Sequence, residues 1–328
     1  MVKKMSKKIS ISIAAYNVED FLEETLSSLF CPEINCDIEV FIVNDGSKDS
    51  TVEIARKYVD MCPTSFFLID KKNGGYGSTI NASIPLATGK YFRLLDGDDW
   101  VDKNEFIKLV KTLDSIDTDI IITDFIKRIQ TKDREIQEKT SYNYPINKSL
   151  KTTDMYSMAM HSTTVKTALL KQGQIRITEH CFYTDFEFIM KAFLLSSTFT
   201  YLPYTVYQYR IWGEGQSVSI TGSMKHYKER DLVSRFAIEA AAKDETAKKI
   251  IFETGILSAN ASDLLTSGDY RRYMAFRKAV IESGVDLKPN LSTLGRIVFS
   301  TPRLLYRIAS MIKRKQNKLT PLYVKIKE

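Results

Sequence analysis

The sequence holds little cysteine, little histidine and no long apolar run. Its four cysteines (Cys31, Cys36, Cys62 and Cys181) form no CxxC pair and show no metal-ligand spacing, so they read as reduced thiols of a cytosolic protein. Cys31 and Cys36 could pair in an exported protein, but the amino terminus MVKKMSKKISISI lacks the apolar core of a signal peptide. The three histidines (His161, His180 and His226) are too scattered along the chain for a zinc triad, and HExxH is absent. Nothing approaches the ~18 apolar residues of a membrane-spanning helix. Two nucleotide-binding fingerprints are missing as well. The first strand-to-helix turn reads AAYNVED, without the GxGxxG of a Rossmann dehydrogenase, and there is no P-loop.

What is present is a globular composition. At 328 residues and 44% hydrophobic, the chain can bury a sizeable core, and 11% aromatic content with 14 glycines argues against disorder. Charge is unevenly placed. Residues 286–328 carry ten Lys or Arg and two acids, whereas the other 285 residues carry 37 basic and 38 acidic side chains. A neutral body with a basic tail does not fit a basic groove through the core, so no specific nucleic acid is expected.

Through the first half, apolar runs alternate with helical patterns. KISISIAAYN, IEVFIVNDGS, SFFLIDKK, YFRLL and DIIITDFI read as strands, with helices over about 18–30, 47–61, 76–87 and 102–114. Continuous apolar strands separated by helices predict an α/β fold with a mostly parallel sheet covered on both faces. Ligands of such sheets bind at the carboxyl ends of the strands. There the polar residues collect: Ala15, Tyr16 and Asn17 after the first strand, Asn44 and Asp45 after the second, Lys71, Lys72 and Asn73 after the third. Each loop alone could be ordinary turn chemistry, but four on one edge point to a site. The fourth, DGDD, packs Asp96, Asp98 and Asp99 into four positions. So oxygen-rich a cluster suits a hard divalent cation, Mn²⁺ or Mg²⁺, which in turn holds a diphosphate.

These stretches carry a resemblance. ISIAAYNVEDFLEETLSSL, IVNDGSKDST, NGGYGSTIN followed by ATGKYFRLLDGDD, and YTDFEF stand in the order found in family 2 glycosyltransferases of the GT-A fold, over roughly residues 8–220. The resemblance implies a nucleotide sugar donor, usually a UDP-sugar. Its binding would involve Ala15, Tyr16, Asn17, Glu19, Asp45, Asn73, Gly75, Asp96 and Gly97. The family's DxD motif corresponds to Asp96 and Asp98, with Asp98 the direct metal contact and Asp99 bordering the donor sugar or the metal shell, next to Trp100. Asp185 falls where the family places its general base, and Glu179 matches a commonly acidic position. Asp185 could instead simply cap the helix that begins at TDFEFIMKAFLL. The chain departs from the family at Ile80, where an arginine is common, so a charge contact there would shift to Lys71 or Lys72. The stretch QYRIWGEGQSVS (208–219) resembles a mobile loop over the diphosphate, with Arg210, Trp212, Gln216 and Ser217 as phosphate or acceptor contacts. It lacks QxxRW spacing, which with the lack of spans favours single-sugar addition over processive synthesis.

The sequence therefore implies a GT-A catalytic domain over 1–221, a helical extension over 222–288 and a basic tail over 289–328. The expected activity is inverting transfer to a hydroxyl of a glycan or lipid-linked acceptor for the cell surface, in the cytoplasm. A nucleotidyltransferase, or a non-catalytic sugar-nucleotide-binding protein of the same fold, are the alternatives. In the tail, Ile297, Val298, Leu304, Leu305, Ile308, Met311 and Ile312 interleave with basic residues, as they would on an anionic membrane surface or on a core-packing helix with basic edges.

Overall fold

The computed structural model describes residues 7–131, 134–211, 220–300, 306 and 309–314. The first half alternates as the periodicity predicts: β1 (Ile9–Ala15), α1 (Leu22–Leu29), β2 (Ile38–Asn44), α2 (Thr51–Met61), β3 (Phe66–Asp70), α3 (Tyr76–Ser83) and β4 (Tyr91–Asp96). The two-residue β5 (Trp100–Val101), α4 (Lys103–Thr112) and β6 (Ile120–Gln130) follow. Every residue of β2 is buried, which is why its sequence is a continuous apolar run instead of an alternation. On α1 the buried residues Leu22, Thr25, Leu26 and Leu29 form a stripe at helical spacing that packs on the sheet side. Asp102 starts α4 by accepting from the amides of Asn104 and Glu105.

The chain continues through β7 (Glu135–Thr140), β8 (Ser149–Lys151), β9 (Thr163–Lys166), α5 (Thr167–Gln172), α6 (Thr184–Leu195) and β10 (Thr198–Ile211). The strands join in one sheet of order β3-β2-β1-β4-β9-β6-β10-β5, with β7 on β6 and β8 on β10. β1, β2, β3 and β4 run parallel, as do β6 and β10, while β9 lies antiparallel between β4 and β6. Register decides where a site can form. Asn44 pairs with both Ala15 and Asp70, and Ala14 pairs with Asp96, so four strands end level. Because β9 is reversed, its first residues lie beside the later part of β4, with Thr164 opposite Arg93.

Residues 208–211 are the end of β10, not a loop: Gln208 pairs with Ile126 and Arg210 with Arg128. The β-branched and aromatic run TVYQYRI favours the pleated strand. Residues 212–219, including Trp212, Gln216 and Ser217, lie outside the described residues.

By its internal contacts the chain divides into two compact units, one holding the sheet up to Ile211, the other holding the later helices. The second comprises α7 (Ile220–Lys225), α8 (Tyr227–Lys243), α9 (Glu245–Thr254), α10 (Ile256–Ser267), α11 (Tyr270–Glu282) and α12 (Thr293–Ser300). Gly255 and Gly268 end α9 and α10 at φ 69° and 76°, the left-handed conformation in which glycine carries no steric cost. Much of the described tail packs within this unit. Val298, Phe299, Tyr306 and Ala309 are buried, the Tyr306 hydroxyl donates to the Leu264 carbonyl at 2.7 Å, and Arg314 Nε donates to that of Thr266 at 2.7 Å. Val298 therefore belongs to a core, as in the packing alternative. Ile297, Met311 and Ile312 stay exposed, and Leu304, Leu305 and Ile308 fall outside the described residues. Among the described residues no helix is long and apolar enough to cross a membrane.

Candidate active site

The loops after β1 and β2 are stitched together. Asn17, at φ 52°, receives the Lys48 amide on its side chain at 2.8 Å and donates its own amide to Ser47 Oγ at 3.0 Å. Glu19 accepts from the Ser50 amide at 2.8 Å and donates its own to Asp49 at 3.1 Å. Ala15 is buried at the end of β1, whereas the Tyr16 ring is 51% exposed on the same rim.

Asp45 is the organising carboxylate of the next loop. Only 3% exposed, it accepts from the amides of Gly74 and Gly75 at 2.9 and 2.8 Å and from Lys71 Nζ at 2.7 Å. Its carbonyl accepts from Asn73 Nδ2 at 2.9 Å. Lys71 also donates to Ser78 Oγ and the Lys72 carbonyl, so its charge fixes this loop. The following glycines have a packing reason. A Cβ on Gly75, at φ +80°, would meet the His180 backbone at 3.2 Å, and one on Gly77 would lie 2.1 Å from the Thr178 carbonyl oxygen. The glycine loop and the loop before α6 thus touch backbone to backbone, and the His180 amide donates to the Gly74 carbonyl at 2.5 Å. Ile80, at the family's arginine position, is buried, while Asn81 beside it clamps the same loop. Asn81 donates to Ile177 O at 2.8 Å and Glu179 Oε1 at 3.0 Å, and accepts from the Ile177 amide at 2.8 Å.

The acidic loop leaves β4 over Gly97, whose Cβ would stand 2.7 Å from the Ala14 carbonyl oxygen, so only glycine fits. Tyr76 donates its hydroxyl to Asp96 at 2.6 Å. Asp99 is almost wholly buried and accepts from the Tyr207 hydroxyl at 2.7 Å and the Arg210 amide at 2.7 Å. The Arg210 guanidinium lies between the rings of Trp100 (4.5 Å) and Phe21 (4.9 Å), donates to the Asp98 carbonyl at 2.6 Å and pairs with Glu24 at 2.5 Å. Buried there, it braces the acidic loop from β10. Burial, then Asp98, then Asp185 push the Asp96 carboxyl up to about 8, against the Tyr76 hydrogen bond. Burial with Asp98 and Asp96 raises Asp99 well above the usual carboxylate range.

Asp185 belongs to this cluster. It is the second residue of α6, and the N-cap position is held by Tyr183, at φ 64°, not by Asp185. Its charge nonetheless sits in the first turn, where the helix dipole favours an anion, and it bears on Asp96, Tyr76 and Tyr209. Glu179 is exposed on the adjoining loop, 3.5 Å from Arg176. The loop itself hangs from Glu187, which accepts from the Thr178 amide at 3.1 Å and from Lys191 at 2.6 Å.

Carboxylates so crowded hold their protons unless a cation compensates them, and hard oxygens are the donors that Mg²⁺ and Mn²⁺ accept. The residues therefore fit a divalent ion. One ligand atom each from Asp96, Asp99 and His161 lie within 4.8 Å of one another. His161 is the residue that sequence spacing could not supply. It comes from the turn before β9, which the reversed strand carries to the edge where β4 ends. Tyr76 and Tyr207 escaped for the same reason, their roles lying in contacts across the sheet.

Comparison with known proteins bears on the family and the fold. A family profile described as Glycosyl transferase family 2 matches residues 10–174. The uncharacterized glycosyltransferase MG060 homolog of Mycoplasma pneumoniae is 31% identical over 168 residues, covering 46% of this chain and 56% of that protein. The poly(ribitol-phosphate) beta-N-acetylglucosaminyltransferase TarS of Staphylococcus aureus is 26% identical over 223 residues, covering 65% of this chain and 37% of TarS. The chain thus spans about half or less of the length of these relatives. A crystal structure of S. aureus TarS 1-349 in complex with UDP-GlcNAc superposes with a TM-score of 0.64 at 19% identity, covering 95% of this chain and 90% of that one. The mannosyltransferase PcManGT from Pyrobaculum calidifontis, in complex with GDP-Man and Mn2+, gives 0.52 at 16% identity over 95% of this chain and 88% of its own.

Proposed function

The chain belongs to glycosyl transferase family 2 and has the GT-A fold, and on that premise we propose that it is a metal-dependent, inverting glycosyltransferase. It moves a single sugar from a nucleotide sugar, a UDP-sugar, to a hydroxyl of a glycan or lipid-linked acceptor in cell-surface polysaccharide synthesis. The observation that carries this reading is the shared field of Asp96, Asp98, Asp99 and Asp185 at the carboxyl edge of the parallel strands. TarS supports the donor and acceptor class, since its name gives N-acetylglucosaminyl transfer to poly(ribitol-phosphate) and one of its structures holds UDP-GlcNAc. Mn²⁺ with GDP-Man in PcManGT supports the metal.

Asp96 and Asp98, with Asp99 beside them in the same shell, would hold the divalent ion, which when bound supplies the positive charge that stabilises a departing nucleoside diphosphate. Asp185 takes the proton of the acceptor hydroxyl as that oxygen attacks the anomeric carbon. One carboxylate is enough, because displacement with inversion forms no covalent sugar–enzyme bond. Tyr76 fixes Asp96, and Tyr207 with the Arg210 amide fixes Asp99, so the acidic loop is preorganised by neutral donors that leave its charge in place. Asn81 and the backbone contacts of Gly75 and Gly77 set the height of the loop that leads to Asp185. Ala15, Tyr16, Asn17, Glu19 and Asn73 form the nucleotide rim above them.

Family membership sets the nucleotidyltransferase alternative aside. A panel of UDP-, GDP- and other nucleotide sugars, screened with Mn²⁺ for thermal stabilisation and for release of nucleoside diphosphate, tests the rest. We expect one UDP-sugar to stabilise the protein only with the divalent ion present, and to release UDP. Binding without turnover on any acceptor would favour a non-catalytic binding protein, and release of pyrophosphate would overturn the reaction class.

A further inference from the structure

We propose that His161 is a nitrogen ligand of the divalent cation in this site, beside Asp96 and Asp99, an inference that rests on the metal-dependent reading above. A ring nitrogen of His161 and one carboxylate oxygen each of Asp96 and Asp99 lie within 4.8 Å of one another, close enough to converge on a single ion. No described residue hydrogen-bonds the His161 ring; its described contacts are all aromatic. Those contacts fix the plane. Tyr209 stacks on it at 4.0 Å and Phe125 at 5.2 Å, and Tyr207 meets it edge-on at 4.9 Å.

The backbone beneath is fixed too. The buried Arg93 guanidinium donates to the His161 carbonyl at 2.5 Å and to Thr164 Oγ1 at 2.8 Å, and Thr123 Oγ1 donates to the Ser162 carbonyl at 3.2 Å. Three strands thereby position one imidazole. The carboxylates have the outer partners that ligands have. Tyr76 orients Asp96, while Tyr207 and the Arg210 amide orient Asp99, and each carboxylate oxygen keeps a further lone pair. A mixed nitrogen and oxygen set favours Mn²⁺ or another transition ion over Mg²⁺, which prefers oxygen throughout.

Pulsed electron paramagnetic resonance on the full chain loaded with Mn²⁺ and UDP reads the nitrogen directly. The expected result is a ¹⁴N coupling that becomes a ¹⁵N coupling when histidine alone is isotopically labelled. It should vanish in His161→Gln and persist in His180→Gln. His161→Gln should also weaken Mn²⁺ binding by roughly tenfold or more and narrow its advantage over Mg²⁺, by analogy with the cost of losing groups that support a metal. The labelling arm needs no substitution, so it stands even if His161→Gln misfolds. Bound Mn²⁺ without any histidine coupling, or a coupling that survives in His161→Gln, overturns the proposal while leaving the metal reading intact. Failure of Mn²⁺ to bind at all with UDP overturns both.

Discussion

The Tyr76 hydroxyl donates a 2.6 Å hydrogen bond to Asp96, and this contact ties the glycine loop after β3 to the acidic loop after β4. Tyr76→Phe removes one hydroxyl and leaves the ring in place. Hydrogen bonds to charged groups contribute about 1.5–3 kcal/mol, and outer partners of metal ligands are typically worth 10–100-fold in affinity. Divalent-ion affinity in the presence of donor should therefore fall by roughly that factor in titration calorimetry, with the melting temperature of the ion-free protein little changed. Unaltered affinity would mean that Asp96 is oriented by something else.

Asp98→Ala separates charge from fold. The Asp98 charge raises both Asp96 and Asp99, so its removal relieves repulsion in the ion-free protein. Stability without metal should hold or rise slightly, while stabilisation by Mn²⁺ with UDP-sugar disappears. Full retention of metal-dependent turnover would remove Asp98 from the metal site.

How far the sequence alone could reach is clearest from these residues. Asp45, Asp96, Asp98 and Asp185 stand in short motifs at strand and helix ends, where local pattern and strand register coincide, so they could be named at once. Tyr76, Tyr207 and His161 could not. Their contacts join segments far apart in the chain, and His161 depends on the reversal of β9, a four-residue strand whose sequence TTVK carries no periodic signal. The parallel strands were legible because burial on both faces makes them uniformly apolar. The end of β10 resembles the family's mobile loop in its sequence, and Gln208 and Arg210, polar yet buried, hide the strand alternation there.

Gly77→Ala tests the seam between the glycine loop and the loop before α6. The added Cβ would meet the Thr178 carbonyl oxygen at 2.1 Å, so one backbone has to move. Overpacking of this kind costs about 1–3 kcal/mol. Hydrogen exchange should show faster opening at 177–181 with β1 and β2 unaffected, and transfer should drop with it. Unchanged protection at 177–181 would show that the seam is looser than the packing implies.

The described residues of the tail divide into a packed part and an exposed part. Ile297, Met311 and Ile312 are 46%, 71% and 41% exposed, in a region rich in Lys and Arg. Each basic side chain near an anionic leaflet contributes on the order of 1 kcal/mol. The full chain should sediment with phosphatidylserine vesicles at low salt and release as salt rises, whereas Ile297→Ser with Met311→Ser and Ile312→Ser should sediment less. Equal sedimentation of the two proteins would return the tail to a purely packing role.

The central claim is that the acidic cluster binds donor while Asp185 performs the transfer. Asp185→Asn keeps the shape of the side chain and its place in the first turn of α6 but cannot take up the acceptor proton. Donor affinity and the transfer rate, measured side by side in this variant with the nucleotide sugar found by screening, test the claim most directly. Affinity should stay within about twofold and transfer should fall by roughly 10²–10⁴, the range for loss of a general base. A transfer rate equal to the parent's, or affinity and rate falling by the same factor, would contradict it.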